Sequence, residues 1–96
     1  MNDAYKIAYQ TLYTIYNKYR KRYRNNPDSK QMCYMWSTNN PPDIIEITEQ
    51  IHDIKKAFDI EIDENKAIEI YDMNLSEVTK MILKIKQDKH HNSHGI

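Results

Sequence analysis

A chain of 96 residues is long enough for one small domain with a single hydrophobic core. Its only glycine, Gly95, leaves no position for the glycine-rich loops that hold nucleotide phosphates, which excludes the common nucleotide-binding enzymes. The 14 basic and 14 acidic side chains balance, but residues 1–40 carry seven basic and two acidic ones. The remaining residues are therefore net acidic, and the two parts of the chain can pair with different partners.

Nothing in the sequence indicates export or membrane insertion. Cys33 is the only cysteine, so no intramolecular disulfide can form. The N-terminus lacks a charged-then-apolar leader. No apolar run approaches the ~20 residues that a bilayer-spanning helix needs. These features predict a cytoplasmic protein.

Residues 3–24 form the first predicted helix, ended by Asn25-Asn26-Pro27-Asp28. Its stripe at helical spacing consists of Tyr5, Tyr9, Leu12, Tyr16, Tyr19 and Tyr23. A tyrosine stripe is usually part of a core. Each hydroxyl needs a partner or water, however, which favours a half-wet groove or an interface. Both interpretations are open.

The end of this helix is strongly basic, and an aromatic segment follows it. The cations suit the negative pole of a helix dipole, or alternatively contact phosphates or an acidic protein. Residues 30–38 are predicted to be a short strand or an extended loop on the core. The candidate basic and aromatic binding residues are Arg20, Arg22, Tyr23, Arg24 and Trp36.

Residues 43–58 are predicted to be the central helix, onto which the other segments pack. Ile44, Ile47, Ile51, Ile54 and Phe58 recur at spacings of three and four, which places them on one stripe. Asp43 is placed to cap this helix, with Glu46 three residues later.

Residues 58–71 fit two structures, a short helix from about Glu64 to Met73 or a β-hairpin with a turn at Asn65. The helix is favoured, because the hairpin register sets Asp59 opposite Glu69. A last helix follows, capped by Asn74 and Glu77. Its apolar stripe is Leu75, Val78, Ile82 and Ile85.

Carboxylates outside these stripes form a candidate binding face. Its residues are Glu46, Glu49, Asp53, Glu61, Glu64 and Glu69. Such a face is most often merely solvated, but it also steers association with a basic partner and places negative charge where phosphates would bind.

Residues 43–86 resemble the acyl carrier protein family. The similarity lies in a helix ending at Phe58, the segment Asp59-Ile60-Glu61-Ile62, and a capped helix that begins Asn74-Leu75-Ser76-Glu77-Val78. It implies a small bundle of three long helices and one short helix. The family carries phosphopantetheine on the serine of an Asp-Ser-Leu triplet, which here reads Asp43-Ile44-Ile45. Ile44 has no hydroxyl, so the resemblance implies a carrier scaffold without the carrier's chemistry.

The predicted fold is mostly α, a small carrier-like helical bundle over residues 1–88 with a flexible histidine-containing tail over residues 89–96. The alternative is an α+β fold with a hairpin at 58–71 and a short strand at 30–37. His90, His91 and His94 lie in the tail, where no fixed geometry would hold a metal ion. We therefore predict neither a metal site nor a cofactor.

The predicted function is non-catalytic protein binding. Its most concrete form is a small inhibitor of the immunity or antitoxin type that covers the basic surface of a toxin, such as a nuclease. Two alternatives are open: an atypical carrier-like protein without the phosphopantetheine serine, and an RNA-binding protein that uses the basic end of the first helix.

Overall fold

A computed structural model describes residues 3–94 of the chain, and side chains as far as Asp88. It contains four α-helices within that range, α1 Asp3–Arg20, α2 Glu49–Phe58, α3 Glu64–Asp72 and α4 Leu75–His94, and a 3-10 helix Met32–Met35. Pairing of extended backbone within the described range is limited to one antiparallel bridge between Gln31 and Asn74. The small helical bundle is confirmed, and the α+β alternative is wrong.

The core lies where α1 packs against α4, α2 and the 3-10 helix, while α3 packs against the 3-10 helix. It is built by fully buried side chains from every element, among them Leu12, Met32, Met35, Ile51, Ile54, Ile70, Val78 and Ile82. Segment 58–71 contributes a helix because Asp63 caps it, accepting a hydrogen bond from the Lys66 N–H at 2.9 Å. The prediction of a short helix here is confirmed.

Two tyrosines of the predicted stripe, Tyr16 and Tyr19, are buried in the core with their hydroxyls bonded inside the chain, whereas Tyr5, Tyr9 and Tyr23 are half-buried. Tyr16 is fully buried, and its hydroxyl accepts from the Lys30 N–H at 2.9 Å. Tyr13 donates to Asp28 at 2.9 Å, and Tyr19 donates to Asp53. The core interpretation is therefore the correct one for Tyr16 and Tyr19. The helix ends at Arg20, earlier than predicted, because the next N–H groups form tighter turns.

The central helix begins later than its isoleucine spacing predicts. It starts at Glu49 and not at Asp43, and Asp43 caps nothing. Residues 43–48 form a turn in which Ile44 and Ile47 are 50% and 78% exposed. A contact distant in sequence holds this turn: the Glu64 carboxylate accepts from the Ile45 and Glu46 N–H groups, and the Thr48 N–H donates to the Ile45 carbonyl.

Segment 30–38 is a 3-10 helix with flanking loops, so the predictions of a strand or an extended loop are wrong. Met32 and Met35 are fully buried. The Met32 N–H donates to the Met73 carbonyl at 3.0 Å, and the Leu75 N–H donates to the Lys30 carbonyl at 2.7 Å. These two bonds fix the start of α4.

The predicted cap of the last helix is confirmed. The Asn74 N–H donates to Glu77 at 3.0 Å, and the Glu77 N–H donates to the Asn74 side chain at 2.9 Å. Helix α4 runs to His94. The prediction of a flexible tail at residues 89–96 concerns side chains that lie outside the described part of the chain. No helix in the described range has both the length and the apolar character that crossing a bilayer requires.

Candidate functional site

The turn at residues 43–48 is held by hydrogen bonds at two points. At one end the Glu64 carboxylate accepts from the Ile45 N–H at 3.1 Å and from the Glu46 N–H at 2.7 Å. At the other end the Thr48 hydroxyl donates to the Ile45 carbonyl at 2.7 Å and accepts from the Trp36 indole N–H at 3.2 Å. The turn is therefore anchored both to α3 and to the buried Trp36.

This turn and the neighbouring helix α3 carry three exposed isoleucines, which we call the isoleucine patch: Ile44, Ile47 and Ile68. Ile68 is 45% exposed and lies one helical turn after Glu64, on the side of α3 that holds the turn. The other large apolar side chain with high exposure in the described residues is Ile7 of α1, at 65%. Most of the exposed aliphatic surface is thus concentrated beside α3.

Four carboxylates accompany the patch, and we call them the acidic rim: Asp43, Glu46, Glu69 and Asp72. Asp43 and Glu46 belong to the turn, while Glu69 and Asp72 stand with Ile68 on the outer face of α3. None of the four side chains forms an ion pair or a side-chain hydrogen bond with another described residue. Their charge is available to a partner.

A second cluster joins α1 and the turn that follows it to α2 by two ion pairs. Lys18 pairs with Asp53 at 3.3 Å, and Arg22 pairs with Glu49 at 3.2 Å. The Tyr19 ring lies between them, 5.0 Å from the Lys18 ammonium and 4.7 Å from the Arg22 guanidinium. Two of the predicted partner-binding carboxylates are thus engaged within the chain.

The same cluster shifts two pKa values. Burial alone would raise the pKa of Asp53, but the hydrogen bonds from Tyr19 and Lys18 outweigh it and hold that pKa below its usual range. Burial, reinforced by the Asp53 carboxylate, raises the pKa of Tyr19 well above its ordinary value. Both shifts favour the hydrogen-bonded pair of neutral phenol and carboxylate.

An open groove of about 640 Å³ lies between the end of α1, residues 36–43 and the start of α2. Four residues predicted to bind a partner converge on it: Arg22, Tyr23, Trp36 and Glu49. Ile47 also lines the groove, which therefore adjoins the isoleucine patch. This convergence of basic, aromatic and acidic candidates comes entirely from the tertiary fold.

The remaining predicted residues are dispersed. Arg20 donates to the Asn17 side chain and to the Asn26 carbonyl, and Arg24 is exposed. Glu61 pairs loosely with Lys55 at 3.7 Å and is 95% exposed. Of the predicted carboxylates, Glu46 and Glu69 belong to the acidic rim and Glu64 positions the turn. Asp43 was predicted only as a helix cap, and Asp72 was missed because its sequence neighbourhood carries no distinguishing pattern.

Two observations on the described residues concern metal ligands and the single thiol. No group of three His, Cys, Asp or Glu side chains in that range is arranged to hold a metal ion. Burial raises the pKa of the Cys33 thiol, which disfavours the reactive thiolate.

No protein-family model, no curated protein and no solved structure matches the chain. The resemblance of residues 43–86 to acyl carrier proteins therefore stays a prediction. The resemblance implies that the Asp43-Ile44-Ile45 triplet opens the central helix. In the structure the triplet lies in the turn before α2.

The role of Glu64 in holding the turn is testable by stability. The Glu64→Ala variant is expected to lose about 1–3 kcal/mol of its free energy of unfolding, because two backbone N–H groups lose their acceptor. Glu69→Ala on the same helix is the matched control and should change stability by less than about 0.5 kcal/mol. Urea denaturation measures both. Equal effects of the two substitutions would contradict the assignment.

Proposed function

We propose that this chain is a non-catalytic inhibitor of the immunity or antitoxin type, which binds a basic protein toxin through the surface formed by α3 and the turn at residues 43–48. The proposal is carried by the acidic rim: its four carboxylates, on the turn and on the outer face of α3, form no ion pair with another described residue. Unpaired charge of one sign accelerates encounter with a partner of the opposite sign and rejects partners of the same sign.

The surrounding segment strengthens this charge. Residues 43–72 contain ten acidic and three basic side chains. Two of those acids, Asp53 and Glu49, are paired with Lys18 and Arg22. The compensation leaves the acidic rim as the main concentration of free negative charge beside an apolar patch, which is the composition expected of a steered protein interface.

A nuclease is the toxin class that this surface suits best. Nucleases carry clustered cations that contact phosphates, and a row of carboxylates can occupy those cations in place of nucleic acid. A small domain that buries such a surface inhibits by covering the substrate-binding face, without any chemistry of its own.

The basic end of α1 offers less support for RNA binding. Arg20 is hydrogen-bonded to Asn17 and Asn26, and Arg22 is paired with Glu49. Each contact would have to break before the guanidinium met a phosphate.

The proposal is tested by finding and assaying the partner. An affinity-tagged chain should capture a basic protein from the cell that makes it, and that protein's enzymatic activity should stop when the chain is added. The Glu69→Lys variant is expected to weaken the inhibition at least about tenfold, because it places a like charge against the toxin's cations. Asp88→Lys makes the same change of charge at an exposed position of α4 outside the acidic rim, and this variant should inhibit normally.

Two outcomes would contradict the proposal. One is a captured partner that stays fully active in a saturating excess of the chain. The other is equal loss of inhibition in Glu69→Lys and Asp88→Lys, which would show that net charge and not the acidic rim is responsible.

A further inference from the structure

We propose that the isoleucine patch is the anchor of the interface, and that it binds an amphipathic segment of the partner in which apolar side chains are flanked by Lys or Arg. This inference rests on the proposed function for the basic character of the partner. It adds which part of the surface holds the complex together and which chemistry the partner must present there.

The first argument is the concentration of apolar exposure. Single exposed aliphatic side chains are common on soluble proteins and need no explanation. Here Ile44, Ile47 and Ile68 are exposed by 50%, 78% and 45% on two elements joined through Glu64. Removing such side chains from water is the usual source of binding energy at the centre of an interface.

The second argument is preorganisation. The Glu64 carboxylate and the Thr48 hydroxyl hold the turn that carries Ile44 and Ile47. Thr48 in turn accepts from Trp36, which is 2% exposed. A segment already fixed in one conformation loses little entropy when a partner packs on it, so more of the contact energy appears as affinity.

The third argument is charge, which selects among possible occupants. The acidic rim places unpaired carboxylates next to the isoleucines, and the complementary surface is apolar with flanking cations. A second copy of this chain fits poorly, because a symmetric contact through the patch would set one acidic rim against the other. A purely apolar or acidic partner would leave the carboxylates desolvated without a counter-charge.

The acidic rim and the isoleucine patch are expected to control different rate constants of binding. Long-range charge sets the rate of association and its dependence on salt, whereas desolvated central contacts set the rate of dissociation. Loss of an isoleucine should therefore raise the dissociation rate, and loss of a carboxylate should lower the association rate and flatten its dependence on salt.

The experiment uses synthetic peptides as probes of the full chain. A helical peptide of leucine and lysine is compared by fluorescence anisotropy with a peptide of the same lysine content in which serine replaces leucine. The leucine peptide is expected to bind at least about tenfold more tightly. Ile68→Ser should weaken its binding about tenfold through faster dissociation. Ile7→Ser makes the same substitution at an exposed helical isoleucine of α1 and should leave binding unchanged.

The inference is overturned if Ile7→Ser weakens binding as much as Ile68→Ser, or if the two peptides bind equally. It is also overturned if the chain forms a dimer in sedimentation that Ile68→Ser abolishes. A failure of the proposed function alone would give another result: the leucine peptide would bind through the isoleucine patch, but no toxin would be inhibited. Conversely, if Ile68→Ser inhibits the toxin as well as the parent chain does, the proposed function is supported and the role of the isoleucine patch as anchor is contradicted.

Discussion

The Trp36→Ala variant is expected to lose about 3–5 kcal/mol of its free energy of unfolding, the usual cost of removing a buried tryptophan. Trp36 is 2% exposed, its ring packs at a tilt against Tyr71 with centroids 5.2 Å apart, and its indole N–H donates to the Thr48 hydroxyl. A small domain has a net stability of only about 5–15 kcal/mol, so the loss is a large fraction of the total. Urea denaturation followed by far-ultraviolet circular dichroism measures it.

Trp36→Phe separates the packing of the ring from its hydrogen bond. Phenylalanine retains much of the buried apolar volume but leaves the Thr48 hydroxyl without its donor, so we expect a smaller loss of about 1–2 kcal/mol. The hydroxyl also loses part of its hold on the turn, so binding at the isoleucine patch should weaken with it. If Trp36→Ala unfolded at the same urea concentration as the parent chain, the residue would be a surface contact and not part of the core.

Alkaline pH is expected to destabilise the chain steeply above about pH 10, the ordinary pKa of tyrosine. Burial raises the pKa of Tyr16 and of Tyr19, so both phenols stay protonated in the folded chain while the unfolded chain ionises them. A folded pKa above the unfolded one gives stability that is fully present below pH 10 and is lost as pH rises. Each such tyrosine contributes a slope of up to about 1.4 kcal/mol per pH unit.

The measurement is a series of urea denaturations between about pH 8 and about pH 11. Tyr19→Phe should be less stable than the parent near neutral pH by about 1 kcal/mol, because Asp53 loses its phenol donor. Its alkaline slope should nevertheless be shallower, because one ionising group has gone. A Tyr19→Phe variant with the same alkaline slope as the parent would show that Tyr19 ionises without unfolding.

Periodicity predicts this fold well wherever one local stripe meets the core. The 3.6-residue spacing in α1 and α4 places Leu12, Tyr16, Val78 and Ile82 in the core, and all four are fully buried. The capping residues Asn74 and Glu77 also act locally, and they bond as their spacing predicts. Helix α3 is confirmed for the same reason, since Asp63 caps it from the adjacent position.

The same reasoning misplaces the start of α2. Ile44 and Ile47 continue the spacing of Ile51 and Ile54, yet they are exposed on the turn before α2, whose backbone Glu64 binds. A carboxylate that acts across 18 and 19 residues has no local signature. Tertiary contacts of this kind override helical spacing, and single-sequence patterns do not contain them.

In the candidate site, too, the local features were predictable and those that depend on tertiary contacts were not. An acidic face was predictable from composition, and Glu46 and Glu69 belong to it. Which carboxylates remain free was not predictable, because Asp53 and Glu49 are paired with Lys18 and Arg22, which lie far away in the sequence. Ile44 and Ile47 of the isoleucine patch were predicted to belong to the packed stripe of the central helix, because exposure cannot be read from the spacing of apolar residues alone.

The two backbone bonds that join residues 30–32 to residues 73–75 have a consequence for the order of folding. They close a long loop, and the entropy lost in closing it must be offset by the packing of the elements that it encloses. The bond from the Leu75 N–H to the Lys30 carbonyl ties the register of α4 to the residues before the 3-10 helix. We therefore expect α1 and the 3-10 helix to organise first and α4 to join late, so that a chain still on the ribosome, with α4 unfinished, exposes Met32 and Leu12 to chaperones.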